Sequence, residues 1–282
     1  PSLDLSLQRK LAIGGELGRA LSAGGELGIV YQPIALLSSG EPIRVEALAR
    51  WTHPELGSIP ADEFIAVAEQ LGLIGKITRY VLSESCAQVA KWRAAGTPME
   101  LAVNLSGRDL SDDALVDVVA ASLAESGLPA KALTLEITET EVMTDVAEAR
   151  DVLIRLGALG VRIAIDDFGT GYSSLVYLQR LPLDELKIDR SFVSSVANDI
   201  SNSIIVRSSI TMAHSLGLSV VAEGAEDEVT CAILAEAGCD AVQGYYFSRP
   251  LAPAALEQWL EGAPRLGFSR AHVPPFRMMP GA

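Results

Sequence analysis

Cysteine is scarce in this chain. Cys86, Cys231 and Cys239 are its three thiols, odd in number and without a C-x-x-C spacing. That excludes a disulfide-built scaffold and fits reduced thiols in a reducing compartment. Histidine is equally rare, with only His53, His214 and His272. Long apolar runs are missing: no stretch approaches the about 18 residues needed to span a bilayer, and no secretory apolar core opens the chain. The expectation is a soluble, cytoplasmic domain without a membrane segment. Positive charge is in deficit, with 22 Lys and Arg against 36 Asp and Glu and a net charge of -14. Such a balance argues against a basic face for a nucleic acid polymer. A small anionic substrate would need local compensation by arginine, lysine or metal. Over 282 residues, 49% hydrophobic content suffices for one large domain with a substantial core.

Between its ends the chain alternates strand-like and helix-like segments. Strands are predicted over 29–32, 43–50, 100–104, 133–137, 161–166, 185–188, 219–222 and 241–245. Helices are predicted over 61–71, 76–95, 111–126, 146–159, 173–181, 201–216, 227–237 and 253–260. Ser111, Asp112 and Asp113 mark one helix start, and Gly72, Gly127 and Gly217 mark ends. About eight strands, most followed by a helix, point to an α/β fold of the (β/α)8 TIM-like barrel type. Only a short turn around Ser38-Ser39-Gly40 joins the first two strands. A parallel pair needs a crossover of a dozen or more residues, so the first strand is expected to run antiparallel. An open doubly wound sheet is the alternative, but no dinucleotide glycine fingerprint follows the first strand. Residues 1–28, with Leu7, Leu11, Leu17 and Leu21 interrupted by Gly14-Gly15 and Gly24-Gly25, read as an amphipathic lead-in rather than core. Residues 29–261 form the barrel. Residues 262–282, rich in Gly, Pro and Arg, read as a loose tail.

In order, the strands carry or end in Gln32, Glu46, Asn104, Glu136, Asp166-Asp167, Lys187, Glu223 and Gln243. Parallel barrel strands end at one face, where barrel enzymes place their chemistry. Any single one of these residues could cap a helix or meet solvent. The set is harder to dismiss, because five carboxylates in one concavity cannot all ionise without cations. All the candidate ligands (Glu46, Asn104, Glu136, Asp166, Asp167 and Glu223) offer oxygen, and no histidine joins them. The hard cations Mg²⁺ or Mn²⁺ fit such a set better than zinc. Two ions about 4 Å apart, bridged by an aspartate, would activate water and stabilise both oxygens in phosphoester hydrolysis. Strand alternation puts Leu48 and Arg50 on the face of Glu46, so Arg50 reaches toward a substrate phosphate. Lys187 shares a side with Asp189 and either stabilises charge in the transition state or sits in an internal ion pair. Gly169 and Gly171 are read equally as a phosphate cradle or as loop flexibility, while Glu139 and His53 read as loop and turn residues. An enolase-like barrel would leave the paired aspartates unexplained.

Seven segments together are recognisable. They are Val45-Glu-Ala-Leu-Ala-Arg-Trp51, Val103-Asn-Leu-Ser106, Leu135-Glu-Ile-Thr-Glu139, Ile165-Asp-Asp-Phe-Gly-Thr-Gly-Tyr-Ser-Ser-Leu175, Leu186-Lys-Ile-Asp189, Val221-Ala-Glu-Gly224 and Gln243-Gly-Tyr-Tyr-Phe-Ser-Arg-Pro250. In this order they resemble the EAL domain family, cyclic di-GMP-specific phosphodiesterases of bacteria, from about residue 29 to 260. The resemblance implies a (β/α)8 barrel with an antiparallel first strand, hydrolysing cyclic di-GMP to linear pGpG with two Mg²⁺ or Mn²⁺ ions. By motif position Glu46, Asn104, Glu136, Asp166, Asp167 and Glu223 look like metal ligands, and Lys187 the catalytic lysine beside Glu46. Gln32, Leu48, Arg50, Asp189 and Gln243 look like substrate-pocket positions. Glu139 looks like the anchor of the loop after Asp167, which is tied to homodimerisation in this family. The lead-in is similar to the linker after a GGDEF domain, implying an upstream GGDEF or sensory domain. Ala225-Glu-Asp227 departs from the family's usual Val-Glu-Thr and touches only local packing. Some members have lost catalysis and only sense cyclic di-GMP. Those usually lack metal ligands or the lysine, and here none is missing.

Overall fold

The computed structural model describes residues 2–144, 146–171 and 178–262. Helix α1 (Ser2–Ala23) leads to a hairpin of β1 (Leu27–Leu36) and β2 (Pro42–His53), extended by the short β3 (Gly57–Ile59). Then come α2 (Ala61–Gln70), α3 (Ile74–Ala94), β4 (Glu100–Asn104), α4 (Gly107–Leu110) and α5 (Leu115–Ser126). Strand β5 (Leu133–Thr138), α6 (Glu139–Thr144), α7 (Val146–Ala158) and β6 (Arg162–Phe168) follow. The chain continues through β7 (Glu185–Ile188), α8 (Arg190–Val193), α9 (Ile200–Ser215) and β8 (Ser219–Glu223). It ends on α10 (Glu228–Ala237), β9 (Ala241–Gln243) and α11 (Pro253–Gly262).

The sheet order β1-β9-β8-β7-β6-β5-β4-β2 closes through pairing of β1 with β2, giving an eight-stranded barrel with β3 appended to β2. Strand β1 is antiparallel to both its neighbours, and the other barrel pairs are parallel. The expected TIM-like barrel with a reversed first strand is therefore what forms. The cause is the tight turn after β1, where Gly40 (φ 68°) donates to Leu36 O at 2.7 Å. Among the described residues no helix is long and apolar enough to cross a membrane.

Strand alternation sorts the side chains into two environments. Outward-facing Val45, Leu101, Val103, Leu133, Leu135, Ile163, Ile165 and Leu186 join the main core beneath the helices. The inward face is different. Near the strand starts it carries Arg44, Glu100, Arg162 and Glu185, an ion-paired floor. Ile34, Val221 and Ala241 form a small separate apolar cluster. At the strand ends it carries the predicted acidic residues. Barrel interiors are ordinarily filled with bulky apolar layers, so this interior is built for charge.

Four sequence readings need correction. The lead-in is not peripheral: α1 runs through Gly14-Gly15, and Ile13, Leu17 and Ala20 are fully buried in the main core. Gly14 is tolerated in mid-helix because the helix packs closely there, where a Cβ would lie 2.7 Å from Leu71 Cδ1. Helix α5 starts at Leu115, because Asp112 turns the chain by accepting from Ala114 N. Strand β9 stops at Gln243 instead of residue 245, because Gly244 packs against the Ala225 backbone, where a Cβ would meet Ala225 O at 1.9 Å. Glu139 is not a loop residue but the buried first residue of α6. Most of the helix predicted over 173–181 and the tail beyond residue 262 lie outside the described residues. Leu17→Ala is expected to cost about 2–5 kcal/mol in chemical denaturation. A loss below about 1 kcal/mol would show that α1 rides loosely on the barrel.

Candidate active site

The strand ends bring the predicted residues together in two hydrogen-bonded sets. One lies on β5 to β8 and is centred on Lys187, which is fully buried. Its Nζ contacts Glu136 Oε2 at 2.7 Å, Asp166 Oδ2 at 3.1 Å and Glu223 Oε1 at 2.6 Å. The other lies on β1, β2, β4 and β9. There Glu46 accepts from Asn104 Nδ2 at 2.5 Å and from Gln243 Nε2 at 2.6 Å. Gln243 Nε2 also reaches Gln32 Oε1 at 3.3 Å, and Gln32 Nε2 donates to Ser248 O. Among the described residues no hydrogen bond or ion pair joins the two sets directly.

Charge in this mouth is strongly perturbed. Burial opposes the Lys187 ammonium, yet Asp166, Glu136, Glu223 and Glu46 outweigh it and hold the proton well above lysine's ordinary value. Burial pushes Glu136 well above the usual carboxyl range, with Glu46 and Asp166 adding to the shift against Lys187. Glu223 rises to about 8, through burial and then the charges of Asp166 and Glu46, again against Lys187. Asp167 rises to about 6 through burial and the neighbouring Asp166 and Asp189. In all three carboxyls burial is the first cause, and the single Lys187 ammonium does not offset it.

Two features single out the aspartate pair. Asp167 has φ 52°, the only positive φ at a non-glycine position among the described residues. Its amide donates to Asp166 Oδ1 at 2.9 Å, so the kink turns the two carboxylates into one space. Such local strain persists only where the surroundings enforce it. Just beyond, Gly169 N donates to Glu139 Oε2 at 3.0 Å, so a residue from α6 holds the start of the following loop. At Gly171 a Cβ would lie 2.8 Å from Glu139 Oε1. Gly171 thus admits the Glu139 carboxylate as a neighbour and Gly169 the Phe192 ring, so no phosphate cradle is needed to account for them.

The donor set suits a hard cation. Asp166, Asp167 and Glu223 can each bring an oxygen within 4.8 Å of the others, and Glu136 Oε1 is buried without a hydrogen-bond partner. All the donors are oxygen, as Mg²⁺ or Mn²⁺ prefers. Lys187 supplies the local compensation that the sequence required, in the internal ion pairs left open as one of its two readings. His53 lies at the end of β2, where Nδ1 accepts from the amides of Glu55 and Leu56.

A cavity of about 200 Å³ opens over the mouth, lined by Gln32, Glu46, Leu48, Asp166, Glu223 and Gln243. A second hollow of about 310 Å³ adjoins it beside Leu48, Arg50, Asn104 and Ile65. Arg50 donates to Ala49 O there and makes no ion pair among the described residues. Asp189 caps α8, accepting from Ser191 N at 3.0 Å. Sequence reasoning gave no place to Arg190 and Tyr245, which also line the mouth, nor to Arg44 and Glu185 below it. For that second pair a signal existed: Arg44 stands two before Glu46, and Glu185 two before Lys187, on the same strand faces.

An eight-stranded α/β barrel with one reversed strand and a lysine-centred acidic mouth defines a narrow class. The chain belongs to the EAL domain family, whose model matches residues 15–250. It is 46% identical over 231 residues to the cyclic di-GMP phosphodiesterase NbdA of Pseudomonas aeruginosa, covering 82% of this chain and 30% of that protein. The bifunctional diguanylate cyclase/cyclic di-GMP phosphodiesterase MucR of the same organism is 41% identical over 251 residues, covering 89% of this chain and 36% of MucR. The solved MucR phosphodiesterase in complex with c-di-GMP superposes with a TM-score of 0.83 at 41% identity, covering 87% of this chain and 99% of that one. This chain thus spans about a third of the length of these two curated relatives.

The raised carboxyl groups have a measurable consequence. In metal-free protein the fold retains protons that the unfolded chain releases near the ordinary carboxyl range of about 4. The contribution of Asp167 and Glu223 to stability therefore falls as pH rises from about 4 to about 8. Calorimetric melting in chelator should show this fall, with a shallower slope in Glu223→Gln. An equal slope in that variant would contradict the assignment.

Proposed function

We propose that this chain hydrolyses one phosphodiester bond of cyclic di-GMP, giving linear pGpG. The observation that carries the reading is the pair of half-sites at the barrel mouth, oxygen donors on both sides and one buried ammonium between the strands. Glu46, Asn104, Glu136, Asp166, Asp167 and Glu223 would hold two Mg²⁺ or Mn²⁺ ions, which when bound supply Lewis acidity and an activated water.

The remaining chemistry falls to the chain's own side chains. Lys187, held charged by its carboxylate neighbours, offsets the negative charge that develops on the phosphoryl oxygens. Its setting beneath the mouth is rigid, because three carboxylates fix its position. Arg50, at the rim beside Asn104, offers a planar guanidinium to a phosphate oxygen. Leu48 lies between the two hollows and presents an apolar face to a base. Gln32 and Gln243 keep Glu46 oriented and complete the polar wall. Asp189 crowds Asp167, and Glu139 holds the segment after it.

The partner assignments belong to the same proposal. The chain acts as a homodimer, and an upstream GGDEF or sensory domain governs it through α1. The relatives' greater length and the bifunctional name of MucR support the upstream domain.

The test is direct. With Mn²⁺ or Mg²⁺ and cyclic di-GMP, the chain should release pGpG. Glu46→Ala and Lys187→Ala should each lower kcat on the order of 10²–10³-fold, followed by chromatography of the products. Tight binding without turnover under either metal would sink the enzyme reading in favour of a cyclic di-GMP sensor.

A further inference from the structure

Arg44 and Glu185 are the most deeply buried ion pair in the barrel that the proposed chemistry does not use. Arg44 is 3% exposed and Glu185 4%. The guanidinium grips the carboxylate with both ends, Nη1 to Oε1 at 2.5 Å and Nη2 to Oε2 at 2.9 Å. Arg44 Nε lies 3.7 Å from Glu100, which also pairs with Arg162, and Ser219 Oγ donates to Glu185 Oε2 at 3.2 Å.

The location of this pair is what matters. In the strand order β1-β9-β8-β7-β6-β5-β4-β2, β2 and β7 stand four places apart in a ring of eight. The fork therefore crosses the barrel at its full diameter. Its two ends lie two residues before Glu46 on β2 and two before Lys187 on β7, on the same inward faces. Glu46 anchors one half of the mouth and Lys187 the other, and no hydrogen bond or ion pair among the described residues joins those halves above. The fork is the direct polar tie between their two strands.

We infer that Arg44 and Glu185 form a cross-barrel strut of positioning residues, which sets the gap between the Glu46 half-site and the Lys187 half-site. The inference rests on the phosphodiesterase reading of the mouth, and it assigns the floor a part in that reaction. An arginine is suited to the task, because its planar fork fixes both distance and angle, whereas lysine would hold the carboxylate as a point charge. The strut touches no substrate, so its effect reaches the reaction through the spacing of the carboxylates. Supporting groups behind metal ligands alter metal affinity or activity about 10–100-fold when removed.

The test uses the full chain, with Mn²⁺ as the probe, in three variants. Arg44→Met combined with Glu185→Leu replaces the pair by apolar side chains, an exchange that commonly preserves stability. Arg44→Lys keeps the charge and loses the fork. Arg44→Glu combined with Glu185→Arg rebuilds the strut in reverse. Calorimetric Mn²⁺ affinity should fall about tenfold or more in the apolar pair at an unchanged melting temperature. The kcat should fall with it, and KM for cyclic di-GMP should change less. Arg44→Lys should lie between that pair and wild type, and the reversed pair should recover part of the loss. Wild-type Mn²⁺ affinity and kcat in a folded apolar pair would overturn the strut and leave the pair a purely structural one. If that variant does not fold, wild-type values in Arg44→Lys overturn it equally. A wild-type chain that binds Mn²⁺ without turning over cyclic di-GMP would refute the phosphodiesterase reading alone, and the Mn²⁺ affinities would still judge the strut.

Discussion

Lys187 sits fully buried among Glu136, Asp166 and Glu223, and this one ammonium is asked to balance far more negative charge than it carries. Glu46 and Asp167 add two further carboxylates to the same mouth. Taking an ion out of water costs several kcal/mol unless its partners are well placed, so the cluster is tolerable only in part. The raised pKa of Glu223, about 8, and of Asp167, about 6, express the shortfall. What the carboxylates lack is cationic charge, and oxygen donors in this number invite hard divalent ions.

The barrel makes that concentration of charge sustainable. Its outward strand faces bury branched apolar side chains under the helices, and stability is drawn from there. The inward faces are thereby released from packing duty. They hold a paired floor of Arg44, Glu185, Glu100 and Arg162, and above it a mouth whose charges are left unbalanced. The floor closes on itself, with arginine and glutamate in equal number, whereas the mouth does not. Function follows from this difference between two tiers of one interior.

Much of this is legible in the sequence alone. The turn at Ser38-Ser39-Gly40 is too short for a crossover, which made β1 antiparallel. The polar residue at each strand end pointed to one converging face. What escaped notice did so for physical reasons. Gly14-Gly15 has the look of a helix break, but tertiary packing against Leu71 overrides the local propensity. Arg44 and Glu185 lie 141 residues apart in the chain, so only barrel closure reveals that they meet. The left-handed backbone at Asp167 is likewise invisible in a sequence, because aspartate can adopt that conformation but seldom does. The division of the mouth into two half-sites needed hydrogen bonds, not residue types.

The central claim is that the acidic mouth is a metal centre. Calorimetric titration of the chelator-treated chain with Mn²⁺ near pH 8 tests it most directly. The account predicts binding of about two ions per chain, with Asp166→Asn losing at least one of them. A chain that binds no Mn²⁺ there, or whose binding is untouched by Asp166→Asn, would contradict it.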